Sequence, residues 1–150
     1  MEPFIRPYQP ADFDAVMILW RASREVSLPD FQRRKGHFFY EDMAYFQEHV
    51  LPENEVWVVE AAGRPIAFLA MKADFIDHLY VHPEHWRQGV GRHLLEFARQ
   101  RSPLHLWLYT LQVNTNARAF YEKNGFVITK FGVSQPPENE PDVKYEWFPQ

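Results

Sequence analysis

The apolar residues of the chain recur with two spacings, one of three to four residues and one of two. The longer spacing predicts a helix that begins near Pro10 and Asp12, since proline suits a first helical turn and an acid faces the positive end of the helix dipole. The apolar stripe of this helix is Phe13, Val16, Met17 and Trp20. The same spacing predicts further helices over residues 41–49, 89–100 and 114–124.

Runs of β-branched and aromatic residues, bounded by glycine and proline, predict the strands. These runs are residues 4–7, 56–62, 66–73, 75–81, 104–110, 127–131 and 143–148. Alternation is clearest in residues 104–110, where leucines face one side and His105, Trp107 and Tyr109 face the other. The order β-α-α-β-β-β-α-β-α-β-β predicts an α/β fold with a mixed sheet. A chain of 150 residues has the size of one domain, so we predict one domain over residues 1–150.

Composition narrows the classes of function. The chain is 46% hydrophobic and can bury a core, and its net charge of −4 lacks the basic excess of a nucleic-acid-binding protein. The absence of cysteine excludes disulfides, thiolate metal ligands and a cysteine nucleophile. No secretory leader pattern is visible, and no run reaches the ~18 apolar residues of a membrane span. We therefore expect a cytoplasmic protein with neither nucleic acid nor membrane as a partner.

A glycine pair stands between a predicted strand and a predicted helix. Pro83 ends the strand because proline cannot donate to a ladder, and Gly89 and Gly91 let a ligand approach the backbone closely. The free N–H groups of a helix N-terminus, with the positive end of the dipole behind them, bind anions. Arg87 and Arg92 add formal positive charge. The segment therefore predicts binding of a cofactor that carries a pyrophosphate.

Two nucleotide-binding motifs do not fit this segment. A dinucleotide-binding G-x-G-x-x-G needs a third glycine where Leu94 stands, and a P-loop needs Gly-Lys where Leu94 and Leu95 stand. A glycine-rich helix start that binds no ligand is the simpler alternative, and the glycine pair alone does not exclude it.

A second motif favours the cofactor site. From Asn114 to Phe126 the chain reads NTNARAFYEKNGF, and from Leu79 to Pro83 it reads LYVHP. With these two motifs the chain resembles the GNAT superfamily of acyl-CoA-dependent N-acyltransferases, closely over residues 55–130. The later motif of that family, N-x-x-A-x-x-F-Y-x-x-x-G-F, is matched at every position. One position departs, because the glutamine or arginine that opens the family's pyrophosphate loop is Trp86 here.

The resemblance implies a central mixed sheet flanked by helices, with splayed central strands, and acetyl-CoA as the acyl donor. It implies an N-acetyltransferase that passes the acetyl group directly to a primary amine of a small molecule or peptide. The residues it places at the cofactor are Leu79, Tyr80, Val81, Arg87, Gln88, Gly89, Val90, Gly91, Arg92, Asn114, Ala117 and Tyr121. The alternative is a protein of the same fold that senses acyl-CoA or binds a small ligand without catalysis.

Tyr121 and Asp77 are the predicted catalytic residues. In the resemblance the tyrosine protonates the leaving thiolate, and a phenol with an ordinary pKa of about 10 is protonated at neutral pH. Strand alternation places Asp77 on one face with Leu79 and Val81, which makes it the candidate general base. The alternatives are Asp74, Glu60 and a chain of water molecules, and His78 and His82 are close by.

The acceptor is predicted from two loops that the resemblance places beside the site. The first loop, near residues 24–42, contains Phe31, Phe38, Phe39 and Tyr40 and ends in Glu41 and Asp42. The second loop, near residues 132–142, contains Glu138, Glu140 and Asp142. Acids and aromatic rings together favour a cationic amine. We predict no metal site, because the histidines near residues 78–85 span a strand end and a proline. We expect a monomer or a homodimer.

Overall fold

The computed structural model describes residues 2–36, 38–136 and 138–150. Its strands are Phe4–Pro7 (β1), Glu55–Ala61 (β2), Arg64–Lys72 (β3), Phe75–Val81 (β4), Leu106–Leu111 (β5), Val127–Val133 (β6) and Pro141–Trp147 (β7). They form one sheet in the order β1-β2-β3-β4-β5-β7-β6. Neighbouring strands are antiparallel except β4 and β5, which are parallel. This architecture confirms the predicted α/β fold with a mixed sheet.

Helices cover both faces of the sheet. They are Phe13–Ser27 (α1), Pro29–Lys35 (α2), Phe39–Tyr45 (α3), Leu51–Glu53 (α4), Val90–Arg101 (α5) and Thr115–Lys123 (α6), with a π-helical turn over Phe46–Val50 joining α3 to α4. The apolar sides of α5 and α6 meet one face, in a core that contains Leu94 and Tyr121. The apolar sides of α1 and the π-helical turn meet the other, in a core that contains Val16 and Phe46. Within the described residues, every helix is too short or too polar to cross a membrane.

The two parallel strands separate soon after they meet. Only Phe75 and Trp107 pair across β4 and β5, and the Trp107 N–H donates to the Asp74 carbonyl oxygen over 3.1 Å at the same end. Beyond that point a gap opens between the strands towards their carboxyl ends. This confirms the predicted splayed central strands.

Two local predictions differ from the structure. The basic cluster Arg33 to Lys35, which the sequence predicts to be a solvated loop, instead ends α2. The break predicted at Pro29 is present, because α1 ends at Ser27, and Pro29 then occupies the first turn of α2, where its missing N–H is not needed. The strand predicted to begin at residue 104 begins at Leu106, and Leu104 is exposed.

A histidine between two carboxylates joins β4 and β7 to β5. His105 Nδ1 lies 2.7 Å from Asp74 Oδ2, and His105 Nε2 lies 2.7 Å from Glu146 Oε1. The hydrogen bond to Asp74, with that to Glu146, raises the pKa of His105 above its ordinary range. The hydrogen bond from His105 in turn lowers the pKa of Asp74.

These shifts predict a pH-dependent stability. Because the pKa of His105 is higher in the folded than in the unfolded state, its ion pairs stabilise the fold fully below the unfolded pKa of about 6.5. This stabilisation is lost as the pH rises through the folded-state pKa. Because the pKa of Asp74 is lowered in the folded state, its carboxylate stabilises the fold above about pH 4, and this stabilisation is lost as the pH falls further. The melting temperature of the wild type should therefore exceed that of His105→Gln most between about pH 4 and 6.5, and the difference should shrink by pH 9. His93→Gln, at an exposed histidine, is the control; a His105 difference that is constant with pH would contradict the prediction.

Candidate active site

The gap between β4 and β5 connects the two faces of the sheet. It holds a cavity of about 60 Å³. On the α6 side it is lined by Asn114, Ala117 and Tyr121, and on the other side by residues of β4 and β5 that include Asp77, His78 and Tyr109. A molecule on one face can therefore meet a molecule on the other at this point.

Backbone donors of β4 point into the gap. The His82 N–H donates to the Ile66 carbonyl oxygen of β3 over 2.8 Å. Because amide direction alternates along an antiparallel strand, the N–H groups of Leu79 and Val81 point away from β3. No β5 pairing reaches them within the described residues. Tyr80 differs from these two neighbours, because its N–H faces β3 and its ring packs with Phe68 on the opposite face of the sheet.

The loop between β4 and α5 is held in an unusual backbone conformation. The Trp86 indole N–H donates to the Val81 carbonyl oxygen over 2.7 Å, so the side chain at the departing position pins the loop to the end of β4. Arg87 and Gly89 both have positive φ, 64° and 82°. Gln88 contacts His85, with Gln88 Oε1 3.3 Å from His85 Nδ1. Position 86 therefore carries an indole that holds the loop backbone in place, and it offers no charged side chain to a ligand.

The N-terminus of α5 offers a set of free amides. The first helical hydrogen bond runs from the His93 N–H to the Gly89 carbonyl oxygen, 3.0 Å. The N–H groups of Val90, Gly91 and Arg92 precede that bond and have no partner inside the helix. The space beside Gly89 is open, because a Cβ added to it would meet no atom of the described residues within 4 Å, its chain neighbours apart. These donors and this space fit a phosphate-bearing ligand.

Gly91 serves packing instead of ligand access. A Cβ at this position would lie 2.9 Å from Cζ and 3.1 Å from Cε1 of Phe120. The sequence predicts that both glycines leave the backbone open to a phosphate, but only Gly89 has open space beside it. Gly91 lets α5 approach α6, and so couples the two sequence motifs.

Asn114 and Tyr121 occupy opposite ends of one side of α6. Asn114 is the N-cap, and its Oδ1 accepts a hydrogen bond from the Ala117 N–H over 3.0 Å. Tyr121 is 6% exposed and packs against Phe120, Phe126 and Tyr145. Burial raises the pKa of the Tyr121 phenol, so the group stays protonated well above neutral pH. Gly125, with φ of 89°, ends the helix as predicted.

A β-bulge changes the place of Asp77. In the register of β3 and β4, Ala70 pairs with His78 and Met71 with Ile76, so Asp77 is the extra residue. Asp77 therefore does not share a face with Leu79 and Val81, contrary to the alternation argument. Its Oδ2 accepts a hydrogen bond from Asn54 Nδ2 over 2.9 Å.

The face of the sheet opposite α6 carries side chains that no sequence motif marks. Arg24 of α1 donates from Nη1 to the Tyr80 hydroxyl over 3.3 Å, and its guanidinium lies 5.4 Å from the Phe31 ring centroid. Phe31 is 4% exposed and belongs to the core, so it is not available to an acceptor. Phe38 and Tyr40 are exposed and stacked, with ring centroids 5.8 Å apart. Periodicity could identify α1 and its buried side but could not show that Arg24 reaches Tyr80, which lines the gap.

Two of the acids expected to attract a cationic acceptor are already paired. Asp42 Oδ2 lies 2.8 Å from Arg21 Nη1, and Glu140 Oε1 lies 2.8 Å from Lys35 Nζ. The Lys35 pair ties α2 to the loop before β7. Asp142 differs, since it is 8% exposed and its pKa is raised by burial and then by the nearby charge of Glu138.

Comparisons with known proteins agree with this geometry. The model of the acetyltransferase (GNAT) domain family matches residues 52–128. The peptidyl-lysine N-acetyltransferase YiaC of Escherichia coli K12 is 30% identical over 125 residues, which cover 83% of each chain. The solution structure of apo YjaB from Escherichia coli has a TM-score of 0.83 and 25% identity, covering 98% of both chains. PaiA N-acetyltransferase from Thermoplasma acidophilum, solved with coenzyme A, has a TM-score of 0.69 and 20% identity, covering 99% of both chains.

The family match covers the splayed strands and α6, which line the gap, and it also covers the glycine loop before α5. The family is one of acetyltransferases and similar relatives such as YiaC are named as N-acetyltransferases, which confirms the catalytic interpretation over that of a sensor without activity. The chain belongs to the GNAT family and is an N-acetyltransferase that uses acetyl-CoA.

Proposed function

We propose that the protein acetylates the ε-amino group of lysine side chains in a peptide or protein. The observation that carries the proposal is the gap itself, which joins the α6 face to an open face bearing acids and exposed aromatic rings. A lysine side chain is long and thin enough to reach the gap from that face. The naming of YiaC as a peptidyl-lysine N-acetyltransferase supports the same acceptor class.

On the α6 face, the chain would hold the pyrophosphate with backbone donors. The N–H groups of Gly89, Val90, Gly91 and Arg92 are the donors at the start of α5, and the dipole of this helix favours the negative charge. The side chains of Arg87, Gln88 and Arg92, which the sequence also predicts at the cofactor, would border this site. Arg92 is exposed and lies 3.4 Å from Glu96, so it contributes charge at the rim.

At the gap, the chain would bind the acyl arm through β4 and α6. The N–H groups of Leu79 and Val81 would donate to the pantetheine arm and to the thioester oxygen, and Tyr80 would border the arm from the acceptor side. An oxyanion donor of this kind contributes about 3–4 kcal/mol to catalysis. Asn114 has its amide nitrogen left for the arm once Oδ1 caps α6, and Ala117 keeps that face clear.

Tyr121 and Asp77 would promote the two proton transfers of the reaction. The buried Tyr121 hydroxyl would protonate the departing thiolate. Asp77 would supply the negative charge that draws a proton from the acceptor ammonium, and Asn54 holds its carboxylate in place.

Glu138 and Asp142 would select a cationic acceptor. The charge of Glu138 contributes to the pKa values of Arg24, Tyr45 and Asp142, so its carboxylate lies on the same side of the sheet as Tyr80, which Arg24 contacts. We predict that Glu138→Gln together with Asp142→Asn raises the KM for a lysine peptide about tenfold, while the KM for acetyl-CoA and the turnover change little. Asp30→Asn, on an exposed acid of α2, is the control; an unchanged peptide KM in the double variant would refute this role.

The function itself is tested with a matched set of acceptors. Thiol release from acetyl-CoA should be fastest with a peptide that carries one lysine and a blocked N-terminus, and mass spectrometry should place the acetyl group on the lysine. The same peptide with arginine for lysine, a peptide with a free N-terminus but no lysine, and spermidine serve as comparisons. Faster release with either amine comparison would assign the enzyme to another acceptor class.

A further inference from the structure

We propose that His78 takes the proton from the acceptor amine and that Asp77 positions and polarises its imidazole. This inference depends on the proposed function only for the identity of the acceptor amine. It adds to the site a side chain that neither motif contains. The geometry that supports it is the bulge of β4, which sets His78 and Asp77 side by side at the acceptor side of the gap.

His78 is enclosed by aromatic rings and held in one orientation. Its ring centroid lies 5.3 Å from that of Trp20, 6.0 Å from Tyr80 and 6.3 Å from Phe68. Tyr45 of α3 lies 6.4 Å away on the outer side. The side chain is 12% exposed yet lines the gap, so the imidazole is both fixed and able to meet a ligand there.

The two ring nitrogens have different surroundings. Nε2 is buried and lacks a hydrogen-bond partner among the described residues, and its nearest acid is Asp77 Oδ2 at 3.5 Å. A proton on Nε2 would be stabilised by that carboxylate. Nδ1 is then the nitrogen left unprotonated, which is the state that a general base requires.

A hydrogen-bonded chain stands behind this pair. Asn54 Nδ2 donates to Asp77 Oδ2 over 2.9 Å and to the Val50 carbonyl oxygen over 3.0 Å. The carboxylate is therefore fixed to the end of the π-helical turn instead of moving freely in solvent. A fixed carboxylate behind a histidine sets the tautomer of the imidazole and stabilises its protonated form.

The charges around His78 keep the imidazole neutral before the reaction. Burial lowers its pKa, Asp77 of its own strand opposes this, and Arg24 of α1 lowers the pKa further. Tyr80 beside it and Tyr45 of α3 are the other titratable groups that face the ring. The pKa of a lysine ammonium is about 10.4, and the ordinary pKa of an imidazole is closer to this value than that of a carboxylate. Imidazole is therefore the better general base for this proton.

The reaction removes two protons from the acceptor nitrogen, and each proton has an acceptor. One proton passes from the ammonium nitrogen to His78 Nδ1, and the imidazolium later releases it to solvent. The neutral amine nitrogen forms a bond to the acetyl carbonyl carbon as the carbon–sulfur bond breaks. The thiolate takes the Tyr121 proton, and the second proton lost by the new amide nitrogen restores the phenol.

The test compares His78→Gln and His78→Phe with the wild type across pH 6–9, using whichever amine the wild type acetylates fastest. We expect kcat/KM to fall about 100-fold or more at neutral pH and the limb that the wild type shows at low pH to disappear. Asp77→Asn should shift that limb and lower kcat less than His78→Gln. The KM for acetyl-CoA should stay within a few fold. His49→Gln, an exposed histidine that also contacts Tyr45, is the control and should behave as the wild type.

A second measurement needs no variant. Nitrogen-15 NMR of the histidine rings should show His78 with its proton on Nε2 at pH 7.5. A wild-type rate and pH limb in His78→Gln, or a proton on Nδ1 at that pH, would overturn the inference. Because the acceptor is chosen by rate, failure of the lysine assignment shows in the acceptor comparison and leaves this result interpretable.

Discussion

Replacing Tyr121 with phenylalanine should lower turnover about 100-fold while leaving the fold and the binding of acetyl-CoA nearly unchanged. The ring and its packing against Phe126 and Tyr145 remain, and only the hydroxyl group is lost. General acid catalysis contributes about 10²–10⁴ in rate, and a thiolate is already a fair leaving group, so the lower end is expected. Burial raises the pKa of Tyr121, so the loss should be the same at every pH from 6 to 9.

Tyr145→Phe is the matched control for this experiment. Tyr145 is fully buried in the same cluster, but its hydroxyl donates to Glu122 Oε2 and accepts from Arg118 Nε. Its loss should lower the melting temperature and spare turnover, since a buried hydrogen bond contributes about 1 kcal/mol to folding. Turnover and stability should therefore separate between the two variants. Normal turnover in Tyr121→Phe would point to water or another group as the donor.

Gly89→Val should weaken the binding of coenzyme A by about 10–100-fold, measured by calorimetry. The side chain would fill the open space at the start of α5, where the free N–H groups stand. The positive φ of 82° adds strain of about 1–2 kcal/mol, so the melting temperature of the free protein should also fall somewhat.

Gly63→Val separates strain from ligand access. Gly63 has the same φ of 82° and the same open space, but lies in the turn between β2 and β3. It should lose a similar amount of stability and keep its affinity for coenzyme A. Equal affinities in the two variants would show that the glycine loop is not the pyrophosphate site. Gly91 is unsuitable for this purpose, because a side chain there meets Phe120 before any ligand.

Local patterns in the sequence are enough to predict most of the strands and helices. The stripe of α1, the alternation of β5 and the glycine after α6 depend on dihedral preferences and on hydrogen bonds between near neighbours. The same locality makes the glycine loop predictable, because its free N–H groups belong to consecutive residues at one helix N-terminus. Short helices such as α2 are not predicted, because a helix of seven residues depends on tertiary packing, here of Phe31 against Leu111.

The acceptor side depends on contacts between residues far apart in the chain. Alternation cannot show the bulge at Asp77, because a bulge is a property of the pairing of β4 with β3. Charge counts cannot show that Glu140 is neutralised by Lys35, or that Arg24 reaches Tyr80, because these partners meet only when α1 and α2 pack on the sheet. The sequence by itself determined the fold class, the family and the glycine loop before α5, since each depends on neighbouring residues. Only the tertiary structure decided which side chains line the gap on the face opposite α6, because burial, pairing and charge there are set by long-range packing.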